Sequence, residues 1–455
     1  MRSARSSLGH LLRLELRHPA QAVVLAFAAA VLVGTLLLAL PIAKAGPTGS
    51  AGLTTALFTA TSAVCVTGLT VVDTPSYWSG FGEGVILGLI QVGGFGIMTF
   101  ASLLGMLIFR RLGLRSRMTA ATETKATGLG EVRRVLRGVI AISVVFEAVT
   151  ALALTLRFAL GYDEPWGRAT YHGVFHAVSA FNNAGFALYS DSLVRFVTDP
   201  WICLPIAFAV IAGGLGFPVW VELARRYHRP RSWSMHTRMT LSASALLLVA
   251  GMVFVTANEW SNPATLGSLD PPGRVLAGFF HSVMPRTAGF NSIDYGGARD
   301  ATLLVTEILM FIGGGSAGTA GGIKVTTFVL LFFVIYAEVR GEQNVEAFDR
   351  RVDDRAIRQA LSVALLAVGA VAMATLALLE LSDLGTRDVL FEAVSAFATV
   401  GLSTGITAQL STPAQLVLVV LMFVGRLGPV TLVSALALRD RRRLHRLPEG
   451  RPIIG

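Results

Sequence analysis

The residues best placed to do chemistry lie in four short loops, each closing on a glycine followed by Leu or Phe: "CVTGL" at 65–69, "FNNAGF" at 181–186, "RTAGF" at 286–290 and "ATVGL" at 398–402. They lack the Gly-x-Gly-x-x-Gly pattern of a nucleotide loop. What they offer is main chain. Glycine permits backbone conformations that a side chain forbids, and a ring of carbonyl oxygens can replace the hydration shell of a cation. The candidate ligands, mainly through backbone carbonyls, are Val66, Thr67, Gly68, Asn183, Ala184, Gly185, Thr287, Ala288, Gly289, Thr399, Val400 and Gly401. On this reading Asn182 and Asn183 are polar neighbours tolerated in a hydrated vestibule.

The loops belong to a longer repeat. At one constant offset before Gly68, Gly185, Gly289 and Gly401 stand Phe58, Phe175, Phe279 and Phe391, and at a second offset stand Ser62, Ser179, Val283 and Ser395. Each loop has an apolar run before it and another after it. Between the first run and the loop lies a short amphipathic segment, such as "ALFTATSAV" at 56–64 or "VLFEAVSAF" at 389–397.

The chain that must position these loops has 455 residues, 53% of them hydrophobic and only 15% charged. That composition marks a polytopic membrane protein. Apolar runs of about 20 residues or more, enough to cross a bilayer, cover 20–42, 84–109, 139–160, 201–221, 239–257, 301–336, 360–381 and 416–438. The first follows Arg2, Arg5, Arg13 and Arg17 but is too long for a signal peptide core, so it reads as a retained span. The two cysteines, Cys65 and Cys203, exclude a multi-bridge framework, and no His, Cys or carboxylate cluster has metal-ligand spacing.

Positive charge flanks spans on the cytoplasmic side. Most of the 38 Lys and Arg lie at 1–19, 110–138, 225–238, 338–358 and 439–455. The intervening loops hold Lys44, Arg168, Arg195, Arg274, Arg299 and Arg387 and are richer in acids, including Asp73, Glu83, Asp163, Glu164, Asp191 and Asp199. Both termini are therefore expected in the cytoplasm, with the protein multi-pass in the cell membrane. The net charge of +10 is accounted for by these flanks, which lack interleaved aromatics, so nucleic acid is not implied as a partner.

The short segments are too short to cross the bilayer, yet each sits between spans that share an outer end. They are expected to be re-entrant half-helices that enter the membrane and return as extended loops, because irregular backbone at membrane depth must be buried in protein or line a watery cavity. The carbonyl end of each half-helix, the negative pole of its dipole, then points to mid-membrane and favours a cation. The fold class expected is an all-α membrane protein of eight transmembrane helices and four half-helices around one pore. Its parts are a cytoplasmic N-terminus at 1–19, repeats at 20–110, 133–226, 237–340 and 356–438, and a cytoplasmic tail at 439–455. Isolated glycine runs such as "QVGGFG" at 91–96 and "AGGLGF" at 212–217 read as helix-packing sites.

Two features fall outside that scheme. The region 301–336 and its inner end would span roughly 55 Å as one helix, well beyond a bilayer, so a break is needed, and "GGGSAGTAGG" at 313–322 supplies it. Arg426 stands in the apolar run "LVLVVLMFVGRLGPVTLVSAL", where an unpaired charge costs a few kcal/mol or more, on the order of the insertion scales. It reads either as a pore-facing cation below the loops or as one half of a structural ion pair. Arg286, beside a loop glycine, would repel a cation on the axis; it is expected behind the loop, paired with Glu392 or Glu307.

"TSAVCVTGLTVVDT", "AVSAFNNAGF", "PRTAGFN", "GGGSAGTAGG", "VSAFATVGLS", "GRLGP" and the ending "RPIIG" together resemble the Trk/Ktr/HKT superfamily of potassium transporters, essentially end to end and most closely the ion-conducting subunits of Ktr systems. The resemblance implies channel-like potassium uptake. It makes the four loops a selectivity filter and Gly313, Gly314, Gly315, Ser316, Ala317, Gly318, Thr319, Ala320, Gly321 and Gly322 an intramembrane gate, with Arg426 beneath the filter associated with it; Lys324, which follows the loop, is expected to anchor it to nearby carbonyls. It also implies a homodimer, in which the tail "RPIIG" packs at the interface, and a cytoplasmic KtrA-type ring binding adenine nucleotides. No cofactor is expected on this chain beyond transported potassium. One filter glycine per repeat, instead of the "TVGYG" of tetrameric channels, leaves selectivity over sodium open, as it does any sodium dependence.

Two other functions compete. A sodium- or proton-coupled symporter working by alternating access would be built from inverted repeats, whereas these four run parallel. A membrane-embedded enzyme would need a nucleophile–base pair or metal ligands, and His172, His176 and His281 lie in the half-helices or their loops without such partners.

Overall fold

The computed structural model describes residues 19–46, 49–112 and 129–428, with side chains given outside 19–20 and 100–134. The expected cytoplasmic ends, 1–19 save its last residue and 439–455, lie outside the described residues, as does part of the basic segment 110–138.

Among the described residues the regular structure is helical, apart from a two-residue-per-strand hairpin, β1 (Glu346–Ala347) and β2 (Arg350–Arg351). Four units follow one another. The first comprises α1 (Pro19–Leu38), the short α2 (Leu53–Val64) and α3 (Gly80–Leu112), and the second α4 (Leu129–Gly161), the short α5 (Trp166–Phe181), α6 (Pro200–Leu215) and α7 (Phe217–Arg226). The third comprises α8 (Met235–Glu259), the short α9 (Pro271–Val283), α10 (Asp300–Ile312) and α11 (Val325–Val339), and the fourth α12 (Asp354–Glu380), the short α13 (Thr386–Phe397) and α14 (Thr412–Leu427). In each unit a long helix, a short helix ending in a glycine loop and a returning helix repeat in that order.

The first helix of every unit contains a stretch long and apolar enough to cross a bilayer, and so does α3. The remaining return helices differ from continuous spans. The predicted span 201–221 is broken at Gly216, whose φ of +91° is open to glycine, and α6 and α7 meet at 97°. The predicted span 301–336 is α10 and α11, separated by the glycine-rich stretch. Of 416–438, α14 ends at Leu427 and the rest lies outside the described residues. Glu83, expected in a loop, lies in the first turn of α3.

Burial follows function. Leu32, Leu36, Val149, Leu152, Leu246, Val249, Leu365 and Val368 on the first helices are exposed, as lipid-facing residues are. The short helices are enclosed: Phe58, Phe175 and Phe391 are fully buried. The third unit departs from the repeat. Helix α9 ends at Val283, earlier in its unit than α2, α5 and α13, so Phe280 is fully buried while Phe279 is half-buried.

Candidate functional site: a carbonyl ring and the loop beneath it

Each short helix is followed by the same backbone device. Val66, Asn183, Thr287 and Thr399 have φ of +55°, +59°, +72° and +50°, and the glycine two residues later is again positive, at +90°, +71°, +73° and +95°. Such a conformation is uncommon for residues with a side chain. Its recurrence in four loops turns successive peptide planes in opposite senses. Local hydrogen bonds hold it: Ser62 Oγ accepts from Gly68 N at 3.0 Å and Ser395 Oγ from Gly401 N at 3.1 Å. In the second loop Ser179 Oγ instead donates to the Phe186 carbonyl at 2.8 Å. In the third, where Val283 replaces serine, the Met284 carbonyl accepts from Ala288 N at 3.0 Å.

The four glycines close a ring. A Cβ on Gly68 would strike the carbonyl oxygen of Ala184, one on Gly185 that of Ala288, one on Gly289 that of Val400, and one on Gly401 that of Thr67, returning to the first loop. The same Cβ positions lie 3.1, 2.9, 3.2 and 3.0 Å from the next glycine's Cα. Glycine is required here by close backbone approach as well as by φ. Among the described residues no donor reaches the carbonyls of Thr67, Ala184, Ala288 or Val400. Those oxygens remain available to a cation. On the side where the short helices begin, a cavity of about 610 Å³ is lined by all four glycines and by Asp73 and Asp294.

The loop 313–324 crosses on the opposite side of the ring, beneath the ends of the short helices. Thr319 Oγ1 donates to the Phe181 carbonyl at 3.2 Å, Gly321 N donates to Thr287 Oγ1 at 3.3 Å, and a Cβ on Gly321 would collide with Thr399 Oγ1. Most of the loop is buried, Thr319 and Ala320 completely. Three cations hold it by its carbonyls. Arg286 Nη2 reaches Gly313 O at 3.4 Å, Lys324 Nζ donates to Ala320 O, and Arg426 Nη1 donates to Thr319 O while Nη2 reaches Gly93 O at 3.3 Å.

Several expectations change. Arg286 lies behind the loop, but its other partners are Ser244 O at 3.1 Å and Ser244 Oγ at 2.9 Å; neither Glu392 nor Glu307 pairs with it. Arg426 has no carboxylate partner among the described residues, so the structural ion pair is absent there, and backbone carbonyls take its charge. The asparagines do not line a vestibule. Asn182 is fully buried, donating to Gln91 Oε1 at 2.7 Å, Glu147 Oε1 at 3.1 Å and the Val178 carbonyl at 2.9 Å. The Asn183 carboxamide lies 2.9 Å from Thr319 Oγ1, joining the second loop to the one beneath. The histidines brace the return of the chain: Leu188 N donates to His176 Nε2 at 3.3 Å, and His281 bridges Tyr295 Oη at 2.7 Å and Ser292 Oγ at 3.1 Å.

The packing glycines have a more specific role than helix contact. Gly93, Gly213 and Gly425 leave room for the carbonyls of Val64, Phe181 and Phe397, the last residues of three short helices. In "AGGLGF" the backbone also binds the crossing loop: Gly315 N donates to Gly214 O at 2.8 Å, Thr319 N to Gly213 O at 3.1 Å and Phe217 N to Ala317 O at 3.2 Å. Sequence reading missed this partnership. Its available signal was Gly216, the residue whose positive φ permits the break.

Comparison with known proteins agrees with this architecture. Residues 5–441 match the family model TrkH, "Cation transport protein". The chain is 39% identical to the Ktr system potassium uptake protein B of Bacillus subtilis, covering 96% of this chain and 97% of that protein. It is 35% identical to the potassium/sodium uptake protein NtpJ of Enterococcus hirae, over 96% and 97%. In fold it is similar to the potassium transporter TrkH of Vibrio parahaemolyticus, with a TM-score of 0.72 at 18% identity, over 91% of this chain and 84% of that one. Family membership, rather than any lack of catalytic groups, removes the enzyme alternative. This chain belongs to the TrkH family of cation transport proteins.

Proposed function

We propose that this protein conducts potassium across the cell membrane for uptake, through one channel-like pore surrounded by the repeats 20–110, 133–226, 237–340 and 356–438. The observation that carries the reading is the closed ring of Gly68, Gly185, Gly289 and Gly401, each abutting the next loop's backbone, with neighbouring carbonyls that receive no donor among the described residues. A dehydrating cation needs such a preformed set of oxygens. The mouth carries Asp73 and Asp294, whose charge raises local cation concentration.

Gly313–Gly322 acts as the gate, held under the filter by Lys324, Arg286 and Arg426. A cytoplasmic KtrA-type ring binding adenine nucleotides moves it, acting on a homodimer with both termini inside. The partner reading is supported by the "Ktr system" name of a relative, and sodium dependence is raised by the name of the Enterococcus hirae relative.

Purified protein in liposomes, assayed for potassium flux with and without sodium, tests this function. Downhill potassium flux that proceeds without sodium is expected. Movement of potassium only when driven by a sodium or proton gradient would replace the channel with a symporter.

A further inference from the structure

The break at Gly216 leaves a helix with no place in the four-unit scheme. Helix α7 leaves α6 at 97°, so it runs across the direction of the span instead of continuing it. Its inward side is apolar, with Val219 fully buried. Its far end and the turn beyond carry Arg225, Arg226, Arg229 and Arg231, all exposed. No carboxylate lies within ion-pair distance of these four arginines among the described residues. Contrary to the expectation that the basic flanks lack interleaved aromatics, Tyr227 stands among them and Trp233 just beyond. Tyr227 is 62% exposed, and the indole of Trp233 donates to the carbonyl of Arg226 at 3.0 Å; Trp220, earlier in the helix, instead packs on Phe146 inside the protein.

An amphipathic helix lying across the spans, with a basic end and interleaved Trp and Tyr, has the make-up of a segment at the membrane–water boundary. Anionic lipid headgroups complement the charge of these arginines, which form no ion pair among the described residues. The aromatics favour this occupant over a soluble acidic protein, which would recognise charge without needing rings at the headgroup level.

The helix is also attached to the gate at its other end. Phe217 N, in its first turn, donates to Ala317 O at 3.2 Å, and a Cβ on Gly216 would meet Ser316 O at 2.5 Å. Midway, Glu222 accepts from Ser234 N at 2.7 Å, Ser234 Oγ at 2.6 Å and Thr237 Oγ1 at 2.5 Å, fixing α7 to the start of α8. The path from Arg225 to Ala317 is therefore a single short helix pinned at its centre. Contacts made at one end bear on the loop at the other.

We infer that Arg225, Arg229 and Arg231 form a binding site for anionic phospholipid headgroups, and that α7 links its occupancy to the position of the 313–322 loop. The second part rests on the gating role proposed above; the first does not. Lipid binding shifts the gate only if the headgroup binds its closed and open positions unequally.

The test uses the full-length protein. Native mass spectrometry in the presence of phosphatidylglycerol should show retained lipid that falls severalfold in Arg225→Gln/Arg229→Gln/Arg231→Gln and returns in the corresponding triple lysine variant. Equal retention by wild type and the glutamine variant overturns the site, as does loss of retention in the lysine variant. Potassium flux is then compared in vesicles of phosphatidylcholine alone and with one-third phosphatidylglycerol. A severalfold lipid-dependent difference, abolished by the glutamine variant, is expected. Flux that responds identically in both proteins overturns the link to the gate. Absence of any potassium flux would instead fault the proposed function while lipid retention still reports on the site.

Discussion

Arg426 Nη1 donates to the backbone carbonyl of Thr319, so a guanidinium on α14 holds the loop beneath the glycine ring. The charge is buried, with only 4% of the residue exposed, and its Nε has no partner among the described residues. A buried cation held by neutral carbonyls keeps its long-range field, since no carboxylate among the described residues pairs with it. On the proposed function, a potassium ion leaving the ring would meet both the loop and that field.

Arg426→Ala is accordingly expected to release Thr319 and lower the barrier together. Potassium flux in liposomes should rise severalfold without a regulatory partner, with Arg426→Lys intermediate because lysine keeps charge but loses the two-carbonyl reach. Well-folded protein with unchanged or lower flux would contradict this.

Removing the loop itself tests whether it obstructs. A Cβ on Gly313 would lie 3.0 Å from Ile323 O and closer still to Gly321 O, so the two ends of the loop already meet. Deleting 314–321 can thus rejoin α10 and α11 with little movement. Flux should increase and lose most of its dependence on regulation; a folded deletion protein with reduced flux would make the loop a packing element.

The buried amide behind the second loop predicts a stability effect. Asn182→Ala removes donors from Glu147 and Gln91, both near the middle of spans, and leaves their oxygens less satisfied. A loss of about 1–3 kcal/mol is expected from such unmet buried polar groups, read as a lower thermal midpoint in detergent. An unchanged midpoint would mean that water reaches the site, restoring the vestibule reading.

How much of this was legible follows from which interactions are local. The four loops were readable because the repeat is written in the chain: glycine, phenylalanine and serine recur at fixed offsets, and the backbone answers with paired positive φ values. The break in the third return helix was readable from length alone. The break at Gly216 was not, because one glycine inside an apolar run looks like helix packing, and what distinguishes the two is its positive φ and the hydrogen bond from Phe217 to Ala317. Arg286 was misjudged in its partners for a related reason. Expecting a carboxylate assumes that charge seeks charge, whereas a broken helix offers bare carbonyls, which no sequence pattern marks.

The central claim is that the glycine ring selects the ion. The most direct measurement is the potassium-to-sodium permeability ratio of Gly401→Ser in liposomes, beside a Gly369→Ser control at a helical glycine with nothing within 4 Å of its Cβ position. The serine at 401 must displace the Thr67 carbonyl and the Gly68 backbone of the neighbouring loop. Discrimination against sodium should therefore fall at least severalfold in Gly401→Ser and stay at the wild-type value in Gly369→Ser. A folded Gly401→Ser protein with the wild-type ratio would contradict the account.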